Sequence, residues 1–393
     1  MGIRSTIAGS DSPGDRRYLG DQQPMNAPLP TAIDQRATEL RKAMVGALVT
    51  AGTIVDPRWQ AAFTAVPRHL FVPRFYQNTI EGPSLIEASM GDRWLSMIYT
   101  DTHLVTRADV TSSSTAPSLM ATMLQALDLI GDETVLEIGT GTGYNAALLS
   151  ERLTDRQIVS IDIDPRSVNA ARRHLAAAGY HPLLAATDGV DGYPTRAQYD
   201  RIIATCRLDF IPPAWLTQLK PTGTIVTPLG AGIARITKHD DSAEARGVFL
   251  PDTAYFMPLR HHEGQSSVAD LIQTAVSSPG RTRGYEYDST IYRDNAARFW
   301  LDLTQPDVRT MQVAAAAIAF HLDGSWARLT DGTVTQGGPR NVWDEVESAH
   351  RTWLQAGKPA RQRYRLAVTG QHQRILLDNS PSPVHELHPP QDQ

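Results

Sequence analysis

The sequence predicts an α/β protein: a mostly parallel sheet covered on both faces, with an N-terminal helical cap and a smaller C-terminal α+β domain. Three observations carry this. Residues 131–230 alternate short apolar runs with helical patterns, as in a parallel sheet with helices on both sides. Residues 31–76 carry helical periodicity and then two closely spaced prolines. After His261 the composition shifts and a mixed region begins, and 393 residues exceed the usual single-domain size. The expected division is a flexible tail over 1–30, a main domain over 31–262, a second domain over 263–378 and a loose tail over 379–393.

Each element has a local cause. Leu40, Met44 and Leu48 recur every fourth residue, which predicts an amphipathic helix ending near Gly52. Asp56-Pro57 reads as an N-cap with proline at the first helical position, opening a helix through Ala65. In VPRHLFVPRFY (66–76) the prolines impose an extended or turning path. TVLEI (134–138), IVSID (158–162), PLLAATD (182–188), YDRIIAT (199–205) and GTIVTPLG (223–230) read as strands. YNAALLSERL is the helix after the first, and Asp164-Pro165 caps another that closes at Gly179. Pro212-Pro213 begins a short helix. ARITKH, GVFLP and AYFMPLR (254–260) read as edge strands. HHEGQSSVADLIQTAVSSPGRTRG reads as a connecting stretch. WDEVESAHRTWLQAG reads as a helix, and RYRLAVTG and QRILLD as a final strand pair.

Composition narrows the function classes. A net charge of −5 with the two signs interspersed argues against nucleic acid as the main partner. No apolar run approaches the roughly 20 residues of a membrane span, and the N-terminus lacks the apolar segment of a signal peptide. The single cysteine, Cys206, excludes an intramolecular disulfide and fits a reducing compartment. The expectation is a cytoplasmic protein without membrane or nucleic-acid partners. His261-His262 has no accompanying ligand set, so no metal is expected.

The chemistry centres on VLEIGTGTGY. A strand ends at Glu137 and runs into Gly139, Thr140, Gly141 and Gly143 before a helix begins. Glycines let the backbone turn sharply and approach a ligand, and the carboxyl end of a parallel strand is where ligands bind in such sheets. The spacing Gly141-x-Gly143-x-x-Ala146 also matches a dinucleotide fingerprint. An acidic Glu137 just before the loop disfavours a pyrophosphate and suits a cationic sulfonium ligand. Asp162 ends the second strand about 20 residues on, where an acidic side chain takes ribose hydroxyls, and Ile163 beside it belongs to the same expected cofactor site. Asp188-Gly189 follows the third strand, in place to meet an adenine amino group, although a turn aspartate would also be at home there. Together these residues predict a Rossmann-like class I methyltransferase sheet that binds S-adenosyl-L-methionine. A nicotinamide-dependent oxidoreductase and a non-catalytic peptide-binding protein are the competing classes.

Over residues 35–260 the chain resembles the protein-L-isoaspartate O-methyltransferase family. The segments that carry the resemblance are VPRHLFVP, the polar stretch TSSSTAPS before the LMATMLQAL helix, VLEIGTGTGYNAALLSERL, SIDIDP, the Asp188-Gly189 pair, YDRIIAT and LKPTGTIVTPLG. The resemblance implies a methyl-acceptor site at Thr115, with Ser113 and Ser114 adjacent; threonine stands where serine is commoner in the family. Helix capping ahead of Pro117 would place hydroxyls there too. It also implies that His69 helps fold the N-terminal cap over the cofactor. A carboxylate acceptor, already ionised at neutral pH, needs no general base, so hydroxyl donors that position it suffice.

Repair enzymes of the family are typically compact. Residues 263–393, with GSWA, GTVTQGGPR and VWDEVE, resemble the extension of members that esterify an aspartate in ring-closed, ribosomally made peptides, a route to aspartimide. The expected partner is therefore a peptide or protein, in particular a cyclised precursor peptide, with general isoaspartate repair as the alternative. Trp300, Trp326, Trp343 and Trp353 are expected to build the second core, and Cys206 to be a small buried residue.

Overall fold

Apolar strand residues that alternate between two buried faces organise the molecule. In the computed structural model, residues 31–79, 82–108, 112–240, 244–259, 268–306, 308–313, 315–378 and 380–389 are described. The expected 1–30 tail and His261-His262 lie outside them. The main sheet has ten strands. From one edge their order is 383–387, 372–377, 364–369, 244–253, 232–238, 219–229, 199–204, 135–138, 158–162 and 183–186. The last five pair in parallel, with Leu136 opposite both Val159 and Ile202; the rest are antiparallel.

The period-two rule separates two cores. Val135, Ile158, Ile203 and Val226 join one cluster with the N-terminal helices and the helix Tyr144–Arg152. Leu136, Val159, Ile202 and Ile225 join the other, which also takes in Trp215, Phe299 and Trp300. The parallel strand order reverses between 135–138 and 199–204, and the carboxyl ends at that reversal form the crevice expected of such a sheet.

The cap forms for the expected reasons. Helix Thr31–Thr50 buries Met44 and Leu48. Asp56 caps helix Pro57–Ala65 by accepting from Arg58 N at 2.8 Å. VPRHLFVP forms one tight turn, Arg68–Leu70, before strand Arg74–Thr79. That strand belongs to a four-stranded sheet ending in the short strand Ser113–Ser114, which pairs with Leu104–Val105.

Between Thr253 and Tyr364 the chain leaves the main sheet and builds a five-stranded antiparallel sheet from residues 281–284, 309–313, 316–320, 326–330 and 333–337. Helix Val342–Gln355 covers one face through Val342, Trp343 and Val346. Helix Val268–Ser277 covers the other through Leu271 and Ala275, against Phe320 and Trp326.

Four expectations need correction. AYFMPLR is not a strand: only an isolated bridge at Pro258 pairs with Arg207. The stretch read as a connection contains the helix Val268–Ser277. Residues 364–377, assigned to a separate C-terminal domain, are strands of the main sheet. Pro383–Leu387, expected in a loose tail, is that sheet's edge strand; pairing with Gln373–Leu376 and burial of Leu387 hold it. The four tryptophans are buried as expected, but Trp300 and Trp353 pack on the main sheet rather than the second one.

Candidate active site

The glycine loop sits at the crevice because the strand Val135–Ile138 ends there with neighbours on both sides. Gly139 N and Thr140 N donate to Ile161 O at 2.8 and 3.0 Å, which ties the loop to the next strand. Gly139 has φ +96°, and a methyl group there would meet Thr205 Oγ1 at 2.8 Å. Only glycine fits both constraints. Gly141 N donates to Asp162 Oδ2 at 2.9 Å, and Asp162 Oδ1 accepts from Asp164 N at 3.0 Å. The Asp162 carboxylate is thus fixed beside the loop, and each oxygen keeps acceptor capacity for a hydroxyl. Ile163 follows it, half-buried.

Glu137 departs from expectation. Its carboxylate is fully buried, accepting from Asn145 Nδ2 at 2.7 Å and Ser160 Oγ at 2.6 Å. It therefore does not open onto a cationic ligand; it braces the loop by joining the following helix to the neighbouring strand. Burial pushes its pKa up to about 7, against the lowering effect of those two hydrogen bonds. Thr140 joins the same network: its side chain is buried and its Oγ1 lies 2.7 Å from Ser160 Oγ. Ser160 and Asn145 were missed by sequence reasoning; a serine inside an otherwise apolar strand was the available signal.

Asp188 accepts from Val190 N at 2.9 Å and caps the turn Gly189–Asp191, so its helix-turn role is met at the strand end where the cofactor role was expected. Gly189 is buried, and its carbonyl accepts from Trp215 Nε1 at 2.8 Å.

The expected acceptor segment does lie over the loop. The Ser113 carbonyl oxygen stands 4.0 Å from where a side chain on Gly141 would begin. Ser114 is buried, while Ser113 and Thr115 are half-buried. Arg68, from the VPRHLFVP turn, holds this segment. Its guanidinium donates to Ile98 O, Thr100 O, Thr102 O and Thr115 O at 2.8, 3.1, 3.0 and 3.1 Å, and lies 3.5 Å from Ser114 Oγ. Burial lowers its pKa to about 10. His69 faces Tyr99 Oη at 2.7 Å inside the cap, and burial lowers its pKa to about 4, which keeps it neutral. A second strap is Arg107, whose Nη1 reaches Asp164 Oδ2 at 2.5 Å across the crevice. Neither arginine was singled out from the sequence.

Cys206 is partly buried. Among the described residues no group of three or more His, Cys, Asp or Glu could hold a metal, and no helix is long and apolar enough to cross a membrane.

The arrangement fits S-adenosylmethionine: a loop in which Gly139, Gly141 and Gly143 present bare backbone, with a fixed carboxylate at the next strand end. Comparison with known proteins agrees. The family model described as Protein-L-isoaspartate(D-aspartate) O-methyltransferase matches residues 39–263. Protein-L-isoaspartate O-methyltransferase 2 of Shewanella sediminis (strain HAW-EB3) is 35% identical over 250 residues, covering 62% of this chain and 92% of the relative. Protein-L-isoaspartate O-methyltransferase 2 of Archaeoglobus fulgidus is 36% identical over 211 residues, covering 53% of this chain and 87% of the relative. A solved protein-L-isoaspartate O-methyltransferase shares the fold with a TM-score of 0.52 at 23% identity, covering 86% of this chain and 99% of its own. An alignment that long reaches into the residues after 263, so the likeness of fold is not confined to the family-matched residues. The chain belongs to the protein-L-isoaspartate(D-aspartate) O-methyltransferase family and is a carboxylate O-methyltransferase that uses S-adenosyl-L-methionine.

Proposed function

We propose that the acceptor is an aspartate-derived carboxylate in a peptide, placed by the hydroxyls of Ser113, Ser114 and Thr115. The observation that carries this is the Arg68 clamp, which holds the Thr115 carbonyl and the Ser114 hydroxyl in the segment whose Ser113 carbonyl lies over the glycine loop. Gly139–Gly143 cradle S-adenosylmethionine, Asp162 and Ile163 hold its ribose side, and Asp188-Gly189 its adenine side. When bound, this cofactor supplies a methyl group on a positively charged sulfur and keeps the C–S electron pair as a neutral thioether. The acceptor carboxylate oxygen forms the new C–O bond. With a side-chain pKa of about 4 it is already ionised, so the site needs placement rather than a base.

Two substrates share this chemistry. In a ring-closed, ribosomally made peptide, methylation of an aspartate gives an ester. The next backbone nitrogen then attacks the ester carbonyl, forming the imide C–N bond while methanol leaves with the nitrogen's proton. The extension's GSWA, GTVTQGGPR and VWDEVE segments support this reading. Repair of isoaspartate in damaged proteins is the second reading, and the long alignment with a solved protein-L-isoaspartate O-methyltransferase supports it. Either activity belongs in the cytoplasm, where the lone thiol of Cys206 stays reduced.

Mass spectrometry after incubation with S-adenosylmethionine separates them. A linear isoaspartyl peptide and a cyclised precursor peptide from the same genome are compared. The tailoring reading expects the mass of one CH2 gained and then methanol lost, a net change equal to the loss of one water, on the cyclised peptide only. Methylation of the linear isoaspartyl peptide alone selects repair, and methylation of neither removes the peptide reading.

A further inference from the structure

The acceptor segment and the cofactor loop hang from different sheets, so methyl transfer needs a contact that fixes one against the other. Arg68 anchors the segment on the side of the cap. The opposite anchor starts from its partner strand. Leu104–Val105 pairs with Ser113–Ser114, and Thr106 extends that pairing by one rung. Its N donates to Ser112 O at 2.9 Å and its Oγ1 to Ser112 Oγ at 3.0 Å. Arg107 is the next residue. Whatever holds Arg107 therefore holds the hydroxyl residues through a short, paired piece of backbone.

What holds it is the far wall of the crevice. Arg107 Nη1 reaches Asp164 Oδ2 at 2.5 Å, with the two side chains 27% and 8% exposed. Asp164 is itself anchored: as the cap of helix Pro165–Ala177, its Oδ1 accepts from Arg166 N at 2.9 Å and from Arg166 Nε at 3.1 Å. Its N donates to Asp162 Oδ1 at 3.0 Å, and Asp162 Oδ2 accepts from Gly141 N at 2.9 Å. Gly141 in turn faces the Ser113 carbonyl. The contacts close a ring, from the hydroxyl segment through Arg107, Asp164 and Asp162 to the glycine loop and back.

The helix cap is made without Arg107, because Arg166 N already takes the capping oxygen. What Arg107 adds is the closure of the ring. Burial alone would raise the Asp164 pKa, but hydrogen bonds from Arg166 and Arg107 outweigh it and hold the carboxylate below its ordinary range. The contact is therefore charge-assisted at neutral pH, among the stronger hydrogen bonds a side chain makes.

We propose that Arg107 is a positioning residue for methyl transfer. Through Asp164 it sets the Ser113, Ser114 and Thr115 hydroxyls at working distance from a cofactor resting at Asp162, without being a ligand of either substrate. The inference rests on the acceptor reading above.

Three variants of the full chain test it: Arg107→Gln, Asp164→Asn, which remains a good helix cap, and the two together. Turnover is measured with S-adenosylmethionine and whichever of the linear isoaspartyl and cyclised peptides the wild type methylates. Each single variant should lower kcat about ten- to a hundredfold, since a misplacement of about 1 Å costs about a hundredfold. The dissociation constant of S-adenosylmethionine, by calorimetry, should stay at the wild-type value. The double variant should be no slower than either single one, because the cycle isolates the pair from every other contact of its members. Arg107→Lys keeps the charge and should recover part of kcat. Wild-type kcat in Arg107→Gln overturns the proposal. So do losses that add in the double variant, or weakened cofactor binding that accounts for the lost turnover. If the wild type methylates neither peptide, the acceptor reading falls and amide hydrogen exchange decides the coupling. With S-adenosylmethionine bound, residues 104–106 and 112–115 should exchange about tenfold faster in Arg107→Gln, the effect of one charge-assisted hydrogen bond, while 158–162 keep their rates. Equal exchange in the two proteins overturns the coupling.

Discussion

Glu137 shows what a single residue's direction does to its role. Its position before the glycine loop suggested a carboxylate facing a cation, yet it is opposite Ser160 in the parallel register and on the face covered by helix Tyr144–Arg152. Adjacency to the loop is legible in sequence; the face a strand residue takes depends on register, which only the assembled sheet fixes. Burial raises its pKa from 4.5 to about 7 in the folded protein. Between those two values the folded state binds more protons than the unfolded state, so stability of the cofactor-free protein should fall as pH rises through that window. Glu137→Gln keeps the shape and an acceptor for Asn145 without the ionisation. Urea midpoints measured from pH 4.5 to 7 should decline less in the variant than in the wild type. Equal slopes in the two proteins would place the proton uptake on other groups.

Among the elements, the clamp around Arg68 decides whether the acceptor segment is a site or a loop. Ser113–Ser114 is a strand of two residues paired, among the described residues, only with Leu104–Val105, too short to hold its place by ladder bonds alone. One buried guanidinium gathers carbonyls from 98, 100, 102 and 115 instead. Arg68→Lys keeps the charge but loses the planar fork, leaving buried carbonyls without donors. A loss of about 2 to 4 kcal/mol is expected, read by urea unfolding, together with a lower kcat/KM. A variant with wild-type stability and turnover would show that the segment holds itself. The strands at 134–138 and 158–162 were legible because continuous apolar runs bounded by turn residues have few other readings. The helix Val268–Ser277 was not, although Val268, Leu271, Ile272 and Ala275 repeat at helical spacing. Polar flanks on both sides masked the apolar stripe of a ten-residue helix.

For the whole molecule, the important fact is that the chain returns. It leaves the main sheet after Thr253, builds the five-stranded sheet, then adds Tyr364–Thr369, His372–Leu377 and Pro383–Leu387 to the edge it left. No local pattern encodes such a return, because strand pairing between Val248 and Arg365 spans more than a hundred residues. Leu366, Val368 and Ile375 are buried in the same cluster as Leu136 and Ile202, with Phe299 and Trp300 beside them. The family-matched region therefore shares one core cluster and one sheet with the residues that follow it. A chain ending at residue 262 would expose the long edge strand Glu244–Thr253 and the apolar surface those residues cover. Unpaired edges and uncovered cores associate. Such a truncation should aggregate or elute as large oligomers in size-exclusion chromatography and bind no S-adenosylmethionine by calorimetry. A monomeric truncation that unfolds cooperatively and binds the cofactor would show that the extension is an accessory to a complete enzyme rather than part of its sheet.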